Sequence, residues 1–303
     1  MGRLSAIVLG SAAGGAYPQW NCRCPVCALA WSGDPRVKPR TQCGLAISAD
    51  GESWTLLNAS PDLGAQIRAT PALHPRGGLR GSPIKAVVLT GGEIDQIAGL
   101  LSIRESTPVA LHATAVTHAA VNSNMMLEAL GSITRHAIRP AEKIALPGGL
   151  QAELFLAPGK VPLWLEGEDV RTAEETAANV GIEITADGKR LVFLPGMAAI
   201  TPELLSRLRR AHAILIDGTL FIDDEMIRSK TGQKTGRRMG HMPIDGEDGT
   251  LVALNGLSNG LTARKIFIHI NNTNPILIDG SPERRKVETA GWEVAEDGME
   301  IVL

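Results

Sequence analysis

The sequence predicts an α/β fold in which two β-sheets are sandwiched between helices as one domain spanning residues 1–303. Three observations carry this prediction. Short apolar runs end at glycine or at a polar residue, Asp-Gly pairs mark a hairpin in each half, and helix-periodic segments alternate with the runs.

The elements follow in order. Residues 4–9 form an apolar run closed by Gly10 and read as a buried strand, not as a leader or a membrane segment. Residues 45–47 and 54–58 flank Asp50-Gly51, a hairpin signal. Ser60, ahead of Pro61 and Asp62, is the expected N-cap of a helix reaching Arg68. Residues 74–83, rich in glycine and proline, make a loop. Residues 84–89 read as a strand covered on both faces, and after the loop 90–95 the spacing of Ile97, Leu100, Leu101 and Ile103 predicts a helix.

The second half has the same style. Residues 182–185 and 191–194 flank Asp187-Gly188, a second hairpin. Thr201-Pro202-Glu203 opens a helix whose apolar face is Leu204, Leu205 and Leu208. Residues 213–216 form a buried strand ending at Asp217. A helix over 248–257 leads past Gly260 to a strand at 265–270, and a last strand follows Trp292.

Composition narrows the function. The chain is 44% hydrophobic and 20% charged, with 30 basic residues against 32 acidic ones, so it offers no field to hold a polyanion or an anionic membrane. Nucleic acid is not an expected partner, and no window approaches the ~20 apolar residues of a membrane helix.

Cys22, Cys24 and Cys27 form C-x-C-x2-C, while Cys43 stands alone. Bridges between cysteines this close in sequence are strained, so the cluster reads as metal thiolates in a reducing, cytoplasmic setting, with Zn²⁺ the natural occupant. Its fourth ligand must come from elsewhere. Simple buried thiols are the competing reading, and Cys43 reads as a core residue.

Ligand chemistry belongs beyond the carboxyl ends of buried strands. Three such ends carry suitable residues: Thr90 through Gln96, Asp217-Gly218-Thr219, and His269 through Asn272. Glu93, Asp95 and His269 together would make a metal site suited to iron or manganese as well as zinc. Helix-terminal carboxylates and a core histidine are the alternatives. His241, beside Gly240 in a polar loop, is a ligand or substrate contact, or else merely solvated; His74, His112, His118, His136 and His212 show no convergent spacing. No dinucleotide, P-loop or serine-hydrolase motif is present.

Four stretches resemble a known family: Leu9-Gly10-Ser11-Ala12-Ala13-Gly14-Gly15, Pro18-Gln19-Trp20-Asn21-Cys22-Arg23-Cys24, Ile94-Asp95, and His269-Ile270-Asn271-Asn272-Thr273-Asn274-Pro275. The chain is similar, nearly end to end, to the pyrroloquinoline quinone (PQQ) biosynthesis protein B family of the metallo-β-lactamase superfamily. The resemblance implies that superfamily's αββα sandwich, in agreement with the element order above.

It also implies a site. The superfamily motif H-x-H-x-D-H falls on Gly91, Glu93, Asp95 and Gln96, so only the aspartate is kept. The position expected to bridge two metals falls near Gly196, which has no ligand, and a bridged zinc pair is therefore not expected. The last ligand histidine aligns with His269. A related phosphodiesterase branch closes its C-x-C-x2-C structural zinc three residues later, here at Asn272.

The function implied is PQQ biosynthesis, as Fe²⁺- and O₂-dependent hydroxylation of the tyrosine-derived ring in a Glu-Tyr precursor. A PQQ carrier without catalysis and a metal-dependent hydrolase are the alternatives. In the first case Glu93, Asp95 and His269 hold the iron, with His241 as a further candidate. Asp217 orients a ligand or takes a proton, Thr90 anchors its loop, and Arg237 and Arg238 pair with the carboxylates of the acidic precursor. A homodimer stays open.

Overall fold

The computed structural model describes residues 3–105, 108–128, 130–162, 166, 172–257 and 264–303. Its first strands are β1 (Ser5–Gly10), β2 (Gly44–Ser48), β3 (Trp54–Leu57), β4 (Ile84–Val88), β5 (Val109–Ala113), β6 (Ile133–Ala137) and β7 (Lys143–Leu146). Those that follow are β8 (Leu150–Gly159), β9 (Glu174–Ala186), β10 (Lys189–Leu194), β11 (Ala213–Asp217), β12 (Arg264–Ile268), β13 (Glu293–Val294) and β14 (Glu300–Val302). They form two seven-stranded mixed sheets, ordered β14-β1-β2-β3-β4-β5-β6 and β13-β12-β11-β10-β9-β8-β7.

Side-chain alternation along each strand builds the layers. Leu191 and Phe193 of β10 and Ala213 and Leu215 of β11 face the other sheet, where they meet Ala6, Val8, Leu45 and Val88. Their neighbours Val192, Leu194, Ile214 and Ile216 face outward onto helices. Those helices include α1 (Pro25–Trp31), which contributes Val26 and Cys27. On the opposite side Leu56, Val87 and Leu111 pack under α2 (Leu63–Ala69) and α3 (Ile94–Ile97). The predicted α/β sandwich of two sheets between helices is the observed fold.

Several local expectations change. Ser60 is not the cap of α2: the helix starts at Leu63 with Asp62 at the cap position, and the Ser60 hydroxyl donates to Gln66 Oε1 instead. The helix expected through Ile103 is α3 followed by a 3₁₀ segment, Ala98–Ile103, and the Gly99 amide donates to the Ala59 carbonyl at 2.8 Å instead of continuing the helix. The helix expected over 248–257 is a single turn, Thr250–Ala253, and Gly260 lies outside the described residues. The strand expected at 265–270 stops at Ile268, since His269 takes φ +60°.

Parallel pairing places the chemistry. β3 and β4 run parallel, as do β10, β11 and β12, so the carboxyl ends of β4, β11 and β12 deliver the polar loops 89–95, 217–219 and 269–274. The first belongs to one sheet and the other two to the second, and the loops meet at one edge of the sandwich.

Candidate metal centre and cavity

Two clusters of metal-ligating side chains stand out among the described residues: Cys22, Cys24 and Cys27, and Asp217, His241 and His269, each with donor atoms within 4.8 Å of one another.

The second cluster grows from the strand ends. Asp217 closes β11 and is fully buried; its Oδ2 accepts from the Met197 amide at 2.8 Å and from His241 Nδ1 at 2.6 Å. Its Oδ1 accepts from the Thr219 amide at 3.0 Å and the Thr219 hydroxyl at 2.6 Å. His269 Nε2 lies 3.0 Å from Asp95 Oδ2, and the His241 and His269 rings stack with centroids 5.3 Å apart. His269 takes a left-handed backbone, and its carbonyl lies 3.0 Å from the Thr219 hydroxyl oxygen.

Electrostatics tie these groups together. Burial works against the ionised Asp95 carboxyl, but the hydrogen bond from His269 and the charges of His269 and His241 outweigh it and lower its pKa. Burial likewise disfavours a charged His269, yet the bond to Asp95 and the charges of Asp95, Asp217 and Glu93 outweigh it and raise its pKa. Asp217, opposed by burial and favoured by His241, is also held low.

A cavity of about 470 Å³ opens beside the cluster, lined by Gly14, Gln19, Asp95, Lys160, Gly196, His241 and His269 among others. Gly14 lies against Asp95, where a Cβ would stand 3.6 Å from Oδ2, so the wall there is bare backbone.

The structure unites Asp95, Asp217, His241 and His269, and it places Glu93 and the Arg237-Arg238 pair elsewhere than expected. Glu93 is no member of the cluster: its carboxylate pairs with Lys160 Nζ at 3.2 Å and its amide donates to Gln96 Oε1 at the start of α3. Arg237 is committed to Asp248 at 2.7 Å, Arg238 is exposed, and neither lines the cavity. Asp217, expected to orient a ligand or take a proton, bonds to His241 Nδ1 and brings a carboxylate oxygen within 4.8 Å of the ring nitrogens of His241 and His269. Gly196, where a bridging ligand was sought, offers only its carbonyl, which accepts from Asn179. Thr90 does anchor its loop, through Asn58.

In the thiol cluster, Cys24 caps α1, its sulfur accepting from the Cys27 amide at 3.4 Å, with Pro25 in the first turn. The Asn272 side-chain amide reaches Cys22 Sγ at 3.1 Å and Cys27 Sγ at 3.3 Å, and its backbone carbonyl lies 3.6 Å from Cys24 Sγ. The thiol of Cys24 donates to Cys27 and, with Asn272, lowers the Cys27 pKa to about 6 despite burial. Three converging sulfurs beside Asn272 suit a tetrahedral cation such as Zn²⁺.

Comparison with known proteins decides the family. The model of the Beta-lactamase superfamily domain matches residues 53–270. The Coenzyme PQQ synthesis protein B of Methylobacterium sp. (strain 4-46) is 52% identical over 99% of this chain and 100% of its own length. The chain belongs to the coenzyme PQQ synthesis protein B family. A crystal structure of the Zn(2+)-bound family protein from Methylobacterium extorquens superposes with TM-score 0.96 at 50% identity, covering 99% of this chain and 100% of that one. A diphosphatase of the PhnP family shares the fold, with TM-score 0.66 at 20% identity over 99% of this chain and 97% of that one.

Within this coenzyme PQQ synthesis protein B family member, two polar residues at the site escaped the sequence reading. Thr219 sits in a stretch already marked, but nothing in a lone threonine shows that it contacts both histidines. Lys160 follows β8 and, among the described residues, is the only lysine or arginine lining the cavity. No helix among the described residues is long and apolar enough to cross a membrane.

Proposed function

We propose that the chain serves PQQ biosynthesis as an iron- and O₂-dependent hydroxylase of the tyrosine-derived ring in a Glu-Tyr precursor. The observation carrying this reading is the set of buried Asp217, half-buried His241 and His269 beside the cavity. Two imidazoles and one carboxylate make the donor set of mononuclear iron(II) oxygenases, and Asp95 adds a second carboxylate 3.0 Å from His269. The names of the relatives, and the zinc in the Methylobacterium extorquens protein, support a cation-binding role in PQQ synthesis. When bound there, Fe²⁺ would supply the one-electron chemistry that O₂ activation requires.

The chain's own residues bind and orient. The buried carboxylates of Asp95 and Asp217 set a negative potential that favours a cation at this wall. The bare backbone at Gly14 and Gly196 leaves room for a planar ring next to the cluster. Lys160, not Arg237 or Arg238, meets a precursor carboxylate, exchanging a contact now made to Glu93 or Glu166. One oxygen atom of O₂ would end on the ring and the other in water, with two electrons and two protons from an external hydrogen donor. Cys22, Cys24, Cys27 and Asn272 hold a structural Zn²⁺ away from the chemistry.

The test is anaerobic reconstitution with Fe²⁺, then isotopically labelled O₂ with the precursor and mass analysis of the product. Label in the ring is expected. An iron-loaded protein that binds the precursor and incorporates no label would remove the hydroxylase reading.

A further inference from the structure

Asn179 lies on β9 and lines the cavity together with Gly196 and His241. Its Nδ2 donates to the Ala157 carbonyl at 3.2 Å and to the Gly196 carbonyl at 3.2 Å. Carbonyl oxygens only accept, so both amide hydrogens are spent, and turning the group over would set its own oxygen against two others. Gly159 makes room for this pose, since a Cβ there would stand 2.3 Å from Asn179 Nδ2. The backbone is held too, by a bridge to Gly91 and by the Val180 amide donating to the Thr90 carbonyl at 2.9 Å.

What remains is Oδ1, to which no group among the described residues donates. It borders the space above Gly196, where a Cβ would stand 3.3 Å from Asn179 Oδ1 and 3.9 Å from His241 Cε1. The other cavity amides are placed differently. Gln42 uses both ends, on Asp62 and on the Gly15 amide, and Gln96 does so on Thr90 and on the Glu93 amide. Gln19 is tied by a single hydrogen, to Asn21. Asn179 is therefore the amide whose orientation is fixed from behind while its acceptor meets the cavity.

A fixed acceptor in a cavity wall recognises a donor on the ligand and turns away its carboxylates, which Lys160 takes. A planar ring lying over the bare backbone of Gly196 brings its edge to that acceptor. We propose that Asn179 is a specificity-determining residue of this cavity: its Oδ1 accepts the hydrogen of the phenol hydroxyl on the tyrosine-derived ring and so selects a hydroxylated ring over a plain phenyl ring. The identity of the ligand rests on the proposed function; the hydroxylation step plays no part in the argument. A site built around such an acceptor rejects the analogue without the hydroxyl because the acceptor is then left unpaired.

The test is equilibrium binding by calorimetry, without O₂, to the Fe²⁺-reconstituted protein. Two ligands are compared, the Glu-Tyr precursor and its analogue built on phenylalanine. The wild type should bind the precursor about 10-fold or more tighter than the analogue. Asn179→Ala should weaken the precursor to the level of the analogue and leave the analogue little changed, so that the preference disappears. If Asn179→Ala does not fold, Asn179→Ser, too short to reach the same point, is read in the same way. Equal weakening of both ligands is what a merely structural role would give, and it overturns the proposal, as does a wild type with no preference. Gly196→Ala puts a methyl group where the ring is placed and should weaken both ligands; unchanged binding there overturns the placement. A preference that depends on Asn179, in a protein that puts no label from O₂ into the ring, removes the hydroxylase reading and leaves this assignment standing. A wild type that binds neither ligand overturns both.

Discussion

His269 Nε2 lies 3.0 Å from Asp95 Oδ2, joining residues 174 apart in sequence and carried by different sheets. The pair stitches the two halves of the sandwich at the proposed reaction centre. Asp95→Ala and His269→Ala should each lower O₂-dependent turnover by at least ~100-fold, the usual scale for losing a metal ligand or its close partner. Elemental analysis should show the thiol-bound zinc retained in both. Near wild-type turnover in either variant would refute the assignment.

The thiol loop should matter chiefly to stability, reaching the chemistry only through the short segment from Asn272 back to His269. Structural zinc contributes several kcal/mol through its coupling to folding, so Cys24→Ala should lower Tm by on the order of 10 °C. Calorimetry of the wild type with and without a strong chelator should show the same drop. Identical melts would argue against a cation at Cys22, Cys24 and Cys27.

Substrate charge should be sensed by Lys160. With its ammonium at the cavity and its carboxylate partners replaceable, Lys160→Met should raise KM for the acidic precursor by about 10-fold while kcat changes little. Arg237→Ala, which breaks only the pair with Asp248, should leave both parameters near the wild type. Steady-state kinetics on the two variants separates the residues.

Glu225 makes stability depend on pH. Burial pushes its pKa up to about 7, against hydrogen bonds from Thr273 and from the Phe221 and Ile222 backbone that act to lower it. A carboxyl raised in the folded state keeps its proton while the unfolded chain has already lost one. Its contribution is therefore complete below the ordinary value of 4.5 and is lost as pH rises through about 7. Glu225→Gln should remove this dependence and gain on the order of 2 kcal/mol relative to the wild type at pH 8. Urea unfolding of both proteins at pH 5 and pH 8 measures the difference.

How much was legible beforehand depended on the period of the apolar pattern. β11 and β12 read as buried strands because both faces are covered, and their polar ends marked Asp217 and His269. β6 did not, since this edge strand exposes Thr134, His136 and Ala137, and β9 carries a polar start, Glu174-Glu175-Thr176, that no strand pattern announces. The Cys triad was legible from its spacing and Asn272 from the family resemblance, and the four lie together. Glu93 and Arg237 are engaged away from their expected places for one reason. Their charges fit the chemistry, but their partners, Lys160 and Asp248, lie 67 and 11 residues away, and local sequence does not reveal a side chain already engaged.

The short stretch from His269 to Asn272 belongs to two neighbourhoods at once. Its first residue gives an imidazole to the acidic cluster and its fourth gives an amide to the sulfurs, while Ile270 between them is pinned to the N-terminal segment through Ser11 and Ala13. Four residues leave little slack. Oxidative injury to the cysteine loop would therefore surface as failing turnover in a protein whose reacting groups are all chemically intact, and an assay alone would blame the wrong end of the tether.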